Sequence, residues 1–150
     1  MLEITSRNKT LKKLCFSHTE LQGSELLKNH SNLSSLSFKN AENLHTSALD
    51  VFSYSTTLTE VDLTGIKLSN FQFSNLIKTL QEKGVVESLN LSRMYMNPAQ
   101  LEMLVSFLHQ NNSLKKLTLS HFSKITIKCT KRWCRLWRPF SSTLHSKFWI

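Results

Sequence analysis

A chain of 150 residues has room for one domain or a short repeat array, and not for two independent cores. With 40% hydrophobic residues but only three Gly and two Pro, it is too apolar for a disordered chain and too poor in turn residues for a collagen or a turn-dense sandwich. The formal charge of +9 is uneven: seven of the 19 basic residues and none of the ten acids fall in 121–150, so the first 120 residues carry only +2 and nucleic-acid binding by the whole chain is not implied.

Leu2 and Ile4 read as the remnant of an earlier strand. From Leu11 onward one pattern recurs: Leu11-Lys-Lys-Leu14-Cys-Phe16, Leu33-Ser-Ser-Leu36-Ser-Phe38, Leu58-Thr-Glu-Val61-Asp-Leu63, Val86-Glu-Ser-Leu89-Asn-Leu91 and Leu114-Lys-Lys-Leu117-Thr-Leu119. Each unit has apolar residues at its first, fourth and sixth positions, and the units start 22, 25, 28 and 28 residues apart. A further apolar residue follows at the eleventh position in Leu21, Leu68 and Met96, and one place later in Leu44 and Ile125. Five matches in series predict a strand at each motif and a repeat architecture.

The segments between the motifs predict helices. Gly23 to His30 allows barely two turns, and His45 to Thr57 a short helix with Leu49 and Phe52 inward. Ser69 to Lys83 places Phe73, Leu76, Ile77 and Leu80 on one face, with Gly84 fitting a helix C-terminus. Asn97 to Gln110 has Asn97 as N-cap and Pro98 at the first helical position, with Leu101, Leu104, Val105 and Leu108 sharing a face. One strand plus one helix cannot bury its own apolar edge, so the units must stack into a curved array with parallel strands inside and helices outside.

These motifs resemble the leucine-rich repeat family, particularly its longer ribonuclease-inhibitor-like class, over about residues 11–122. The resemblance implies an α/β leucine-rich repeat solenoid, a short horseshoe with about five repeats in 1–122 and a separate tail in 123–150. That family includes intracellular regulators of GTPases and actin, innate receptors and adaptor subunits. There is one departure. The family usually carries Asn or Cys at the ninth position, bonding neighbouring loops, and this chain has Thr19, Ala41, Ile66, Met94 and Phe122.

Side chains alternate along a strand, so the residues between the apolar positions are expected to face the concavity. Read across the repeats, they form four columns: Lys12, Ser34, Thr59, Glu87, Lys115; Lys13, Ser35, Glu60, Ser88, Lys116; Cys15, Ser37, Asp62, Asn90, Thr118; and Ser17, Lys39, Thr64, Ser92, Ser120. The surface is polar, with basic ends, an acidic middle and no aromatic anchor. A protein partner of mixed charge is the expected ligand, contacted by Lys13, Ser35, Glu60, Asp62, Ser88, Asn90 and Lys116; a plain solvated face is the competing reading.

Enzyme chemistry finds no support. No phosphate loop, dinucleotide fingerprint, zincin helix or nucleophile elbow occurs. Glu60 and Asp62 share a strand face, but two acids on an exposed strand are more often solvated than catalytic. Cys129 and Cys134 flank Lys131 and Arg132, which oppose a cation, and His121 and His145 lack zinc-ligand spacing, so no metal or cofactor is expected. Three cysteines (Cys15, Cys129, Cys134) make no disulfide framework, no apolar run reaches about 18 residues, and the start lacks a signal-peptide pattern. A cytoplasmic location follows as the expectation, with the four Asn-x-Ser/Thr sequons unused.

The tail interleaves cations and aromatics. If helical, it puts Trp133, Leu136, Trp137 and Phe140 on one side and Arg132, Arg135 and Arg138 on another. It reads as a cap over the last repeat or an incidental extension. Alternatively, Arg132, Trp133, Arg135, Trp137 and Arg138 contact an anionic membrane surface or single-stranded nucleic acid. The sequence therefore predicts a non-catalytic protein–protein interaction scaffold, the alternatives being association through the tail or a regulatory fragment of a larger enzyme or receptor.

Overall fold

The computed structural model describes residues 10–17, 32–41 and 46–120. Five strands, β1 (Lys13–Ser17), β2 (Ser35–Lys39), β3 (Glu60–Asp62), β4 (Ser88–Asn90) and β5 (Lys116–Thr118), form one parallel sheet in chain order. Among the described residues four helices lie between them: α1 (Thr46–Leu49), α2 (Val51–Tyr54), α3 (Asn70–Lys83) and α4 (Pro98–Gln110). Parallel neighbours joined in sequence order, with no strand skipped, define a solenoid of the leucine-rich repeat kind. Leu14, Leu36, Val61, Leu89 and Leu117 fall opposite one another in register, as the aligned motifs require.

The fourth and sixth positions point into a single core with the first, ninth and eleventh: Leu36, Phe38, Leu63, Leu89 and Leu91 are buried, as are Leu33, Leu58, Val86, Leu68 and Met96. Phe38 stacks on Phe16 at 5.5 Å and meets Phe52 edge-on at 6.4 Å, tying β1 and β2 to α2. At the start of each strand one carbonyl of the preceding repeat accepts two N–H groups. Lys12 takes Ser34 and Ser35, Ser34 takes Thr59 and Glu60, Thr59 takes Glu87 and Ser88, and Glu87 takes Lys115 and Lys116, all at 2.7–3.0 Å.

Both long helices begin with a reciprocal cap. The Ser69 hydroxyl accepts from Gln72 N while Gln72 Oε1 accepts from Ser69 N; Asn97 and Gln100 repeat the arrangement. Pro98 occupies the first turn of α4, and Gly84 closes α3 with a left-handed φ of 59°. Gln100 is also buried, and its Nε2 donates to Leu68 O at 2.8 Å, so the cap of one repeat is fastened to the turn of the one before. Phe73, Leu76, Ile77 and Leu80 of α3 are buried as expected; on α4 Leu104 is joined by Phe107, while Leu101, Val105 and Leu108 are half-buried.

The expected helix over 45–57 is two short ones, because the Ser53 N–H bonds back to Asp50 O at 2.9 Å, a tighter step than an α-turn. The helix expected at Gly23–His30, the remnant at Leu2 and Ile4, and the tail with Arg132, Trp133, Arg135, Trp137 and Arg138 lie outside the described residues, as does the domain boundary at 122.

Candidate functional site

The face of the sheet away from the core is an open trough of about 390 Å³. It is built from the third and fifth repeat positions, which alternate with the buried fourth. Lys13, Ser35, Glu60, Ser88 and Lys116 stand opposite one another in register, and so do Cys15, Ser37, Asp62, Asn90 and Thr118. All seven residues singled out from the sequence, Lys13, Ser35, Glu60, Asp62, Ser88, Asn90 and Lys116, line it together. Four strand spacings separate its ends, about 19 Å.

The expected columns are trimmed on both sides. Second-position residues do not line the trough, because they precede the strands and serve the repeat junctions: Ser34 Oγ donates to Lys12 O and Thr59 Oγ1 to Ser34 O. Of the seventh-position residues only Lys39 lines it. Ser92 is buried instead, its hydroxyl bonded to the Ser120 N–H and hydroxyl.

Register creates an electrostatic pattern that the columns do not reveal. Lys13 reaches across β2 to Glu60 at 3.6 Å, and Lys39 reaches Asp62 at 3.5 Å. The half of the face built by β1–β3 therefore neutralises itself. On the half built by β4 and β5, Ser88, Asn90 and Thr118 are uncharged, and Lys116 has no ion pair among the described residues. On the rim, Lys115 pairs with Glu87 at 2.7 Å. The Lys13–Glu60 and Lys115–Glu87 pairs are solvent-exposed and individually worth about 0–1 kcal/mol, so a partner can rearrange them at small cost, whereas Asp62 is half-buried.

Asp62 and Asn90 have structural work as well. Asp62 Oδ1 accepts from Thr64 N at 3.0 Å and Thr64 Oγ1 at 2.6 Å, and Asn90 Oδ1 accepts from Ser92 N at 3.1 Å. These side chains turn the backbone at the strand ends. Asp62 keeps its second oxygen on Lys39. The sequence held the signal, an Asp or Asn followed two places later by Thr or Ser.

Beyond the turn, the ninth position holds Ala41, Ile66 and Met94, all buried. The loops are joined instead by backbone bonds at the eighth position: Asn40 N to Thr64 O, Gly65 N to Ser92 O and Arg93 N to Ser120 O, each 2.8 Å. All three eighth-position residues are left-handed, with φ of 49°, 71° and 55°. Hydroxyls help at the other edge, where Thr57 Oγ1 donates to Leu33 O and Ser113 Oγ to Val86 O. Among the described residues no group of three or more His, Cys, Asp or Glu is arranged to hold a metal ion, and Cys15 is an exposed free thiol whose Sγ lies 3.7 Å from Ser17 Oγ. No described helix is long and apolar enough to cross a membrane.

No protein-family pattern matches the chain, and no curated protein matches it in sequence. Solved structures do match. A tropomodulin C-terminal domain from Caenorhabditis elegans superposes with a TM-score of 0.59 at 10% identity, over 97% of this chain and 95% of that one. The structure described as leiomodin-1 actin-binding site 2 superposes with a TM-score of 0.61 at 12% identity, over 97% of this chain and 92% of that one. Likeness at this identity establishes the fold. It also corrects the expected resemblance to the ribonuclease-inhibitor-like class: the neighbours are tropomodulin and leiomodin domains with a leucine-rich-repeat-like fold. The physical reason lies in the turns, where an apolar plug and a backbone ladder replace the polar ninth-position side chain of the expected class.

Proposed function

We propose that this chain is a non-catalytic interaction scaffold that takes a protein partner across the concave face of its sheet, in a reducing, cytoplasmic setting. What supports the reading is one observation: a continuous, in-register, polar face on five strands, open to solvent along its whole length. An enclosed cavity with converging polar groups is what small-molecule chemistry needs; an open trough suits a partner's surface. The partner contacts are Lys13, Ser35, Glu60, Ser88 and Lys116 along one column, with Asp62 and Asn90 adding the groups their turns leave free. Because one fold neighbour is described by its actin binding, actin is the first partner to test.

The experiment compares the full chain with a Glu60→Lys, Ser88→Arg double variant. Both positions lie on the trough and neither is buried, so the melting temperature should move by no more than about 2–4 °C. Sedimentation with monomeric and filamentous actin, and proximity labelling in cells, should identify a partner of the wild-type chain that the variant loses. Retention of every partner by the variant would remove the concave face from the reading.

A further inference from the structure

Outside the trough, the lip where strands end and helices begin carries a different surface. Phe71 and Tyr95 are 67% and 65% exposed, against a core that buries every other described phenylalanine at least halfway. Tyr95 precedes the α4 cap by two residues and Phe71 follows the first residue of α3. The two caps are held together by Asn97 Nδ2 donating to Asn70 Oδ1 at 2.6 Å and by the bond from Gln100 to Leu68 O, so both rings belong to one stretch of the lip. Tyr54, the other exposed large aromatic among the described residues, ends α2, on the side where the chain runs on to β3.

Beyond Asp62, which ends β3 and pairs with Lys39, the charge on this stretch has one sign. Residues 63–81 and 88–101 contain no Asp or Glu. Lys67 and Arg93 are exposed there, and neither makes an ion pair among the described residues. Arg93 also occupies a left-handed position that its counterparts fill with Asn40 and Gly65, residue types that tolerate it. Among the described residues only its backbone N–H is used, on Ser120 O, and glycine would supply the same bond. A long cation held in a disfavoured backbone region, two residues from an exposed ring and on the same lip as a second, is the composition of a binding hot spot.

We propose that this lip is a second docking surface, and that its occupant is an acidic, extended protein segment whose carboxylates meet Lys67 and Arg93 while its apolar side chains cover Phe71 and Tyr95. Two cations are too few to hold a phosphate backbone or a lipid surface, which recruit many basic residues at once. They match a peptide of alternating acidic and apolar residues. The surface is separate from the concave trough, and it stands or falls apart from that reading.

The test uses the full chain and a short synthetic peptide alternating glutamate with leucine, carrying one benzophenone side chain. Photo-adducts should map to 63–97, and a peptide with glutamine in place of glutamate should give none. Arg93→Gly should weaken binding roughly tenfold, the loss of one charge-assisted contact, while raising the melting temperature by roughly 2–4 °C. Tyr95→Ser should weaken binding without that rise. Adducts confined to the trough or to 121–150, equal capture of the glutamine peptide, or unchanged affinity in Arg93→Gly would each overturn the proposal. So would Arg93-dependent binding of oligothymidylate or phosphatidylserine vesicles in place of the peptide. Loss of peptide binding in Lys116→Glu but not in Arg93→Gly would move the segment to the concave face, overturning the lip and keeping the trough.

Discussion

Leu89 tests the array most directly. It sits in the middle of β4, 1% exposed, with Val61 and Leu117 opposite it on the flanking strands. Replacing it with alanine removes three carbons from the core, about 2.4 kcal/mol at about 0.8 kcal/mol per methylene. The neighbours cannot close the gap, because Val61 and Leu117 are fixed by backbone bonds to β4 itself. A residual cavity adds to the transfer term, so the total loss should be about 3–5 kcal/mol. The same substitution at Leu14, half-buried on β1, should cost about half as much, since less surface leaves water and only one flanking strand among the described residues is disturbed. Urea melts followed by far-ultraviolet circular dichroism measure both, with the slope checked for constancy. A Leu89→Ala loss below about 0.5 kcal/mol, or a larger loss at Leu14, would refute the stacked-core reasoning.

Two glycines separate strain from crowding. A Cβ on Gly65 would come within 2.1 Å of Asn40 Oδ1 as well as holding φ at +71°, whereas on Gly84 (φ +59°) the nearest atom is 4.0 Å away. Gly84→Ala should therefore lose about 1 kcal/mol from the backbone alone, and Gly65→Ala more, by whatever displacing the Asn40 side chain costs; equal losses in thermal melts would contradict the contact. The Ser55 hydroxyl is buried without a hydrogen-bond partner among the described residues. Ser55→Ala should leave the fold unchanged or more stable by about 1 kcal/mol, and a clear destabilisation in the same melts would mean that the hydroxyl is satisfied.

The sheet was legible because its signal is redundant. The spacing of Leu33, Leu36 and Phe38 recurs at Leu58, Val61 and Leu63 and again at Val86, Leu89 and Leu91, and stacking forces equivalent positions into register. The ends of α3 and α4 were legible from Gly84, Asn97 and Pro98, residues with few other local uses. Gln100 was not: a glutamine three residues into a helix reads as surface, and its burial depends on Leu68 O, 32 residues away. The Ser69–Gln72 and Asn97–Gln100 spacings nevertheless spelled the capping box. The break at Asp50 has no comparable marker. On the trough, the columns were correct at the third and fifth positions, while the ion pairs were hidden, because Lys13 meets Glu60 only through the width of an intervening strand.

The turn chemistry links the two surfaces. Where a polar side chain ties neighbouring loops, the residues around it are constrained by the bonds they must make. Here the ties are backbone groups at the eighth position and buried apolar plugs at the ninth, so the side chains at the eighth and tenth positions are not needed for closure. Their identities vary accordingly: Asn40, Gly65 and Arg93 share one backbone conformation, and Lys67 and Tyr95 are both exposed at the tenth position. The trough lacks this freedom. Asp62 and Asn90 turn the chain at the strand ends, and their neighbours must keep the strand alternation. A fold held in this way can change what its lip presents without touching its core, at the price of tolerating an arginine in a left-handed turn. The lip is therefore where a short array of nearly neutral repeats has the most room to acquire a charged, aromatic surface of its own.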